Sequence, residues 1–206
     1  MEVAVLVPVK DFGQAKARLS QHVDPDGRRC LARWMAGRVV AAAGCSAVFV
    51  VCDDDDVATW AESAGARVVW TPGVGLNGAV TAGVATVAAR GFDHVVVAHS
   101  DLPLARDLAS VADSGRVTLV PDSRDDGTNV LAVPTGIDFG FAYGARSFHA
   151  HALEAQRLGL DIAVLRSPEL ALDVDTVDDL LHPSIAPLLP EVLPAWTPPT
   201  NPVSPV

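Results

Sequence analysis

His94-Val-Val-Val-Ala-His-Ser-Asp-Leu-Pro-Leu104 is the stretch on which the fold turns. Its β-branched run Val95 to Ala98 reads as a strand buried on both faces, the signature of a parallel sheet covered by helices. The run stops at Ser100-Asp101, and Pro103 cannot continue a central ladder. Asp101 therefore sits at the C-terminal edge of a parallel strand, which is where open α/β sheets bind ligands. The competing reading is that Asp101 caps a helix opening near Leu104.

Outward from this strand the chain alternates. Upstream lie strands at Met1 to Val9, Ala47 to Cys52 and Arg67 to Trp70, with helices at Arg28 to Ala43, Val57 to Ala64 and Gly78 to Ala89 between them. Downstream the spacing predicts a helix over Leu104 to Asp113 and strands at Val117 to Val120 and Asn129 to Val133. It then predicts a helix over Phe148 to Leu158, a strand at Ile162 to Leu165 and a short helix after Thr176. This is a three-layer α/β/α, Rossmann-like fold with a mainly parallel, mixed sheet. Residues 1–182 form its one domain. From Pro183 prolines recur (Pro187, Pro190, Pro194, Pro198), so 183–206 is expected to be a loosely ordered tail without helix.

Composition narrows the function. The 206 residues carry a formal charge of −10, which excludes a nucleic-acid backbone as partner. No apolar run approaches the roughly 20 residues of a membrane span, and acidic Glu2 does not fit a signal peptide. A cytoplasmic protein with no membrane partner is expected. Cys30, Cys45 and Cys52 form no C-x-x-C pair and read as reduced core thiols. The six histidines show no zinc-ligand spacing and read as ordinary core or surface residues.

Lysine usage is the sharpest compositional signal. Of 15 basic residues only Lys10 and Lys16 are lysine, and both lie in the long loop after the first strand, with Arg18 beside them. A compact ammonium suits phosphate oxygens, so this loop is read as a phosphate site. Gly73, Gly75 and Gly78 complete a G-x-G-x-x-G, but it follows the third strand, not the first, and Asp101 runs into Leu-Pro-Leu. A dinucleotide site is thus disfavoured. The loop is expected to bring backbone N–H groups and Asn77 near a nucleotide base, with Asn77 as helix N-cap the competing role. Gly127, Thr128 and Asn129 offer an N–H, a hydroxyl and an amide to an anion. Gly144, Arg146 and Ser147 precede a helix whose N-terminus favours phosphate.

Asp173-Val-Asp175 supplies partners for Asp101. Aspartates at i, i+2 in extended chain point the same way, and three carboxylates from two strand ends suit Mg²⁺ bridging phosphorylated substrates. The simpler alternative is a capped helix with Asp178 and Asp179 in its first turn.

Taken in order, Val7-Pro-Val-Lys, Ala15-Lys-Ala-Arg-Leu, Gly75-Leu-Asn-Gly-Ala, Ser100-Asp-Leu-Pro-Leu, Asp126-Gly-Thr-Asn-Val-Leu, Tyr143-Gly-Ala-Arg-Ser-Phe and Leu172-Asp-Val-Asp-Thr resemble one family. It is the phosphoenolpyruvate/2-phospho-L-lactate guanylyltransferases of deazaflavin coenzyme F-420 biosynthesis, and the resemblance spans roughly residues 3–180. It implies a nucleotidyltransferase fold similar to that of molybdenum-cofactor guanylyltransferase. By that resemblance Lys10, Lys16 and Arg18 hold the GTP phosphates, and Gly75, Asn77 and Gly78 lie near guanine. Asp101, Asp173 and Asp175 bind Mg²⁺, and Thr128, Gly144 and Ser147 take the phosphate of phosphoenolpyruvate or 2-phospho-L-lactate. Lys10, Lys16 and Asp101 would serve catalysis. The family commonly reads Gly-Pro-Gly-Ser where this chain has Gly144-Ala-Arg-Ser147, so Arg146 stands in place of glycine in the acceptor loop. Two rivals stand beside this reading: a same-fold nucleotidyltransferase with a molybdopterin or sugar-phosphate acceptor, and a non-catalytic GTP sensor. A homodimer is left open.

Overall fold

The computed structural model describes residues 1–198. Seven strands form one sheet: β1 (Val3–Pro8), β2 (Ala47–Cys52), β3 (Arg67–Trp70), β4 (His94–Ala98), β5 (Arg116–Pro121), β6 (Thr128–Pro134) and β7 (Asp161–Val164), in the spatial order β3-β2-β1-β4-β6-β5-β7. All pairings are parallel except those of β6, which runs antiparallel to both β4 and β5. The mainly parallel, mixed sheet expected from the sequence is the one found.

Alternation along the strands divides the core. On one face Val5, Val7, Val50, Val96 and Ala98 pack under α1 (Pro25–Ala41) and α2 (Asp55–Ser63). On the other, Ala4, Leu6, Phe49, Val95 and Val97 pack under α3 (Gly75–Ala89) and α4 (Ser147–Arg157). All five residues of β4 are buried, as a strand covered by helices on both faces requires. Gly83 lets α3 approach closely, because a Cβ there would stand 2.7 Å from Val51 and 2.8 Å from Leu6.

The direction of β6 decides what reaches the ligand edge. Val130 pairs with Ala98, so the start of β6, not its end, lies beside Ser100 and Asp101. A hairpin from β5 makes that reversal, and Asp122 organises its turn by accepting N–H bonds from Arg124, Asp126 and Gly127 at 3.0 Å each.

Three expectations need correction. The helix over Leu104 to Asp113 is only a 3-10 turn at Leu108–Val111. Asp107 adopts φ 43, and the Leu108 N–H donates to Ala42 O at the end of α1, which breaks the helical ladder. Of the three cysteines only Cys52 is buried, because Cys30 lies on the solvent side of α1 and Cys45 in the turn after it. The described part of the proline-rich tail carries helical turns and packs on the domain, in place of the loosely ordered tail without helix expected from the sequence. A 3-10 turn at Ala186–Leu188 leads into a short α-helix at Leu189–Val192, and Ile185, Leu189 and Leu193 bury against Leu31 and Met35 of α1. Pro187 and Pro190 fall in first-turn positions, where a missing N–H costs nothing. The remainder of the tail, 199–206, lies outside the described residues.

Candidate active site

At the C-terminal edge of β1 and β4 a cleft of about 330 Å³ is lined by Pro8, Lys10, Lys16, Leu76, Ser100 and Asp101, among others. The loop after β1 folds over this edge. Phe12 anchors it against Trp60 of α2, ring edge to face at 5.2 Å, and Leu19 buries at its far end. Between these anchors Lys16 takes a left-handed backbone (φ 56) that turns its side chain inward.

The Lys16 ammonium donates to Asp101 Oδ2 at 2.7 Å and to Asp175 Oδ1 at 2.9 Å, with its side chain only 9% exposed. Arg18 reaches the other oxygen of Asp175 at 3.1 Å from an exposed position. Asp173 accepts from the Asn129 amide at 3.3 Å. Val174, fully buried between Asp173 and Asp175, donates its N–H to Asp101 O, which ties this acidic segment to the turn after β4. The segment is irregular, not the strand end expected from the sequence. Lys10 lines the cleft from an exposed position.

The helix-cap alternatives fail on geometry. No α-helix follows Asp101. The short helix α5 (Val177–Leu180) follows Thr176, and Asp179 accepts the N–H groups of Asp175 and Thr176 at 2.9 and 2.7 Å. Asp101, Asp173 and Asp175 are thus free of capping duty.

Electrostatics separate the aspartates. Burial opposes ionisation of Asp101, but the adjacent Lys16 outweighs it and holds the carboxyl below its ordinary value. Burial likewise opposes charge on Lys16, and Asp101 and Asp175 more than offset it, raising its pKa. Asp173 moves the other way, pushed up by burial and then by the negative charge of Asp101. Asp101 Oδ1 is buried without a hydrogen-bond partner. An orphaned carboxylate oxygen beside a second carboxyl that resists ionisation fits a hard cation. Among the described residues no group of three or more acidic, histidine or cysteine side chains is placed to hold a metal ion. The expected set of Asp101, Asp173 and Asp175 therefore does not form one metal site: the Lys16 ammonium stands between Asp101 and Asp175. Mg²⁺ can be held by fewer, since it takes one or two carboxylates and completes its shell with water and phosphate oxygens.

Several expected ligands are already engaged. Asn77 lies inside α3, so it is not the N-cap, and both ends of its amide meet the Tyr143 backbone: Oδ1 accepts the N–H at 2.7 Å and Nδ2 donates to the carbonyl at 3.4 Å. Of the three anion donors at the start of β6, the Gly127 N–H goes to Asp122 and the Asn129 amide to Leu170 O and Asp173. Thr128, Gly144 and Ser147 do come together. Thr128 N–H donates to Ser147 Oγ at 2.9 Å, and Ser147 N–H to Gly144 O at 3.1 Å. Both hydroxyl residues are buried, while Gly144 is exposed with φ 129 at the N-terminus of α4. Arg146 sits at φ 60, a conformation open to glycine and strained for arginine, with its side chain in solvent.

His151 is a core histidine, one of the two places the sequence allowed it, but its bonding to this site was not foreseen. Fully buried one turn after Ser147, it bonds Thr128 Oγ1 through Nδ1 and the Ala142 N–H through Nε2, each at 3.0 Å. Its spacing from Ser147 on one helix face was the available signal.

A family model described as guanylyl transferase CofC-like matches residues 3–185. The chain belongs to this CofC-like family. It is 34% identical over 190 residues to a phosphoenolpyruvate guanylyltransferase of Sphaerobacter thermophilus, covering 87% of this chain and 91% of that one. It is 33% identical over 188 residues to a 2-phospho-L-lactate guanylyltransferase of Methanothermobacter thermautotrophicus, covering 87% and 83%. Its fold resembles a solved nucleotidyl transferase from Methanothermobacter, with TM-score 0.64, 17% identity and coverage of 88% and 95%. Among the described residues no helix of this CofC-like protein is long and apolar enough to cross a membrane.

Proposed function

We propose that this chain transfers the GMP moiety of GTP to the phosphate of phosphoenolpyruvate, or of 2-phospho-L-lactate, releasing pyrophosphate in deazaflavin coenzyme F-420 biosynthesis. One observation carries the reading in a CofC-like chain: Lys16 and two aspartates meet in a cleft at the C-terminal edge of a parallel sheet. A phosphate oxygen of the acceptor attacks the α-phosphorus in line. One P–O bond forms as the bond to the β-phosphate oxygen breaks. That nucleophile is already anionic at neutral pH, so the chain needs no Ser-His or Cys-His machinery. Its task is positioning and charge neutralisation.

Lys10, Lys16 and Arg18 would hold the triphosphate, with Lys16 exchanging its aspartates for phosphate oxygens. Asp101, with Asp173 or Asp175, would hold Mg²⁺, which when bound draws charge from the phosphate oxygens. The exposed backbone at Gly144 would meet the acceptor phosphate, with the Thr128 and Ser147 hydroxyls behind it. Asn77 would act on this site indirectly by fixing Tyr143.

Relatives named for the two acceptors are 34% and 33% identical to this chain, so an assay must choose between them. The Arg-, Ala- and Val-rich composition resembles bacterial members and favours phosphoenolpyruvate. Pyrophosphate release from GTP and Mg²⁺ should require one of phosphoenolpyruvate, 2-phospho-L-lactate or 3-phosphoglycerate, run in parallel with no acceptor. Asp101→Asn should reduce that release on the order of 100-fold, the scale on which one preorganised electrostatic contact is felt. Binding of GTP with no release under any condition would favour a sensor.

A further inference from the structure

We propose that His151 is a positioning residue of the acceptor site, a neutral imidazole carrying its proton on Nδ1 that directs the Thr128 hydroxyl to donate toward the acceptor phosphate. The inference rests on the reading of Thr128 as a ligand of that phosphate.

The tautomer follows from the bonds. His151 Nε2 lies 3.0 Å from the Ala142 backbone nitrogen, a group that can only donate. Nε2 must therefore be unprotonated, and in a neutral ring the proton is then on Nδ1. Nδ1 stands 3.0 Å from Thr128 Oγ1, so the histidine donates and the threonine accepts. A hydroxyl that accepts this bond keeps one proton and must direct it elsewhere. Ser147 is biased in the same sense, since its Oγ accepts the Thr128 N–H. Two adjacent hydroxyls are thereby left as donors, the polarity a phosphate oxygen requires.

Packing holds the ring in that orientation. Tyr143 meets it edge to face at 4.8 Å, and Phe139 lies tilted at 6.0 Å. Burial keeps the imidazole uncharged, its pKa pushed down to about 4. The segment bearing Ala142 is itself fixed at the next residue by the Asn77 amide. A continuous relay of bonds thus runs from α3 through Tyr143 and Ala142 to His151 and Thr128.

Steady-state kinetics of pyrophosphate release test the role, with each substrate varied in turn. His151→Leu removes both bonds and should raise the acceptor KM roughly tenfold, the scale of one lost hydrogen bond, while the GTP KM stays within about twofold. His151→Asn keeps a donor toward Thr128 and should restore most of the loss. Thr128→Val should raise the acceptor KM, with His151→Leu adding little on top of it. A ¹⁵N-edited imidazole spectrum of the wild-type protein should show the Nδ1–H tautomer. An Nε2–H tautomer, or equal movement of both KM values in His151→Leu, would overturn the role. An acceptor KM that moves with Thr128→Val but not with His151→Leu would overturn it while leaving the acceptor site intact. No acceptor-dependent release from the wild type would overturn the proposed function together with it.

Discussion

Asp173 is held in a position that costs the folded chain stability. Burial and the negative charge of Asp101 raise its pKa above the ordinary carboxylate value, and only the Asn129 amide and nearby backbone offset this. A raised carboxyl pKa means that the folded state binds the proton more tightly than the unfolded one. The penalty is therefore present above the folded pKa and disappears as pH falls below the unfolded value near 3.8. Asp173→Asn should raise the melting temperature at pH 7, by about 2–4 °C for each kcal/mol relieved in a chain of this size, while lowering turnover. A lower melting temperature in differential scanning calorimetry would show that the carboxylate stabilises the site. Asp101 and Lys16 shift in the opposite, mutually stabilising sense. Their pairing is kept between the acidic pH at which Asp101 protonates and the alkaline pH at which Lys16 loses its proton. The types of these three residues, and the place of Asp101 just past the end of a strand, were legible in the chain. Their charge balance was not, because Lys16 and Asp101 are 85 positions apart.

The segment around residues 185–193 behaves as a structural element despite its prolines. Ile185, Leu189 and Leu193 share one apolar cluster with Leu19, just past the lysine loop, and with Val174, between the two aspartates. The same buried contacts thus back both sides of the candidate site. Ile185→Ala should cost about 2–5 kcal/mol, read as a lowered urea midpoint with unchanged slope, and should loosen the lysine loop. Loss under about 0.5 kcal/mol, the size of an ordinary surface substitution, would show that the segment is dispensable. Periodicity located nearly every strand and the longer helices, because those signals lie within ten or so residues. It failed after Pro103, where Asp107 turns left-handed and Leu108 is tied to α1. It failed again in the tail, where burial by α1 and not local propensity decides the conformation.

At the scale of the whole molecule, stability should depend on pH through His151. Burial, assisted by His99 and opposed by Glu154, takes its pKa from 6.5 down to about 4. A depressed histidine pKa means that the unfolded state takes up the proton first. The neutral ring's contribution is complete above pH 6.5 and is lost as pH falls toward 4, a loss of about 3 kcal/mol. Urea midpoints measured in steps from pH 7 to 4.5 should fall for the wild type and fall less steeply for His151→Leu. Identical slopes would show that the imidazole protonates freely in the folded state.

The chain's own residue pattern determined the three-layer fold, the mixed sheet, the lysine loop and the place of Asp101 at the C-terminal edge of β4. Each is written in local periodicity, in composition or in the spacing of neighbours. Only the tertiary structure decided which polar groups remain free for a ligand. Asn77 is consumed by Tyr143, Asn129 by Leu170 and Asp173, and the Thr128 hydroxyl is set by His151. Each side chain has a small number of donors and acceptors, and the partners that fill them come from elsewhere in the chain, up to 66 positions away for Asn77. Local pattern carries no record of that pairing.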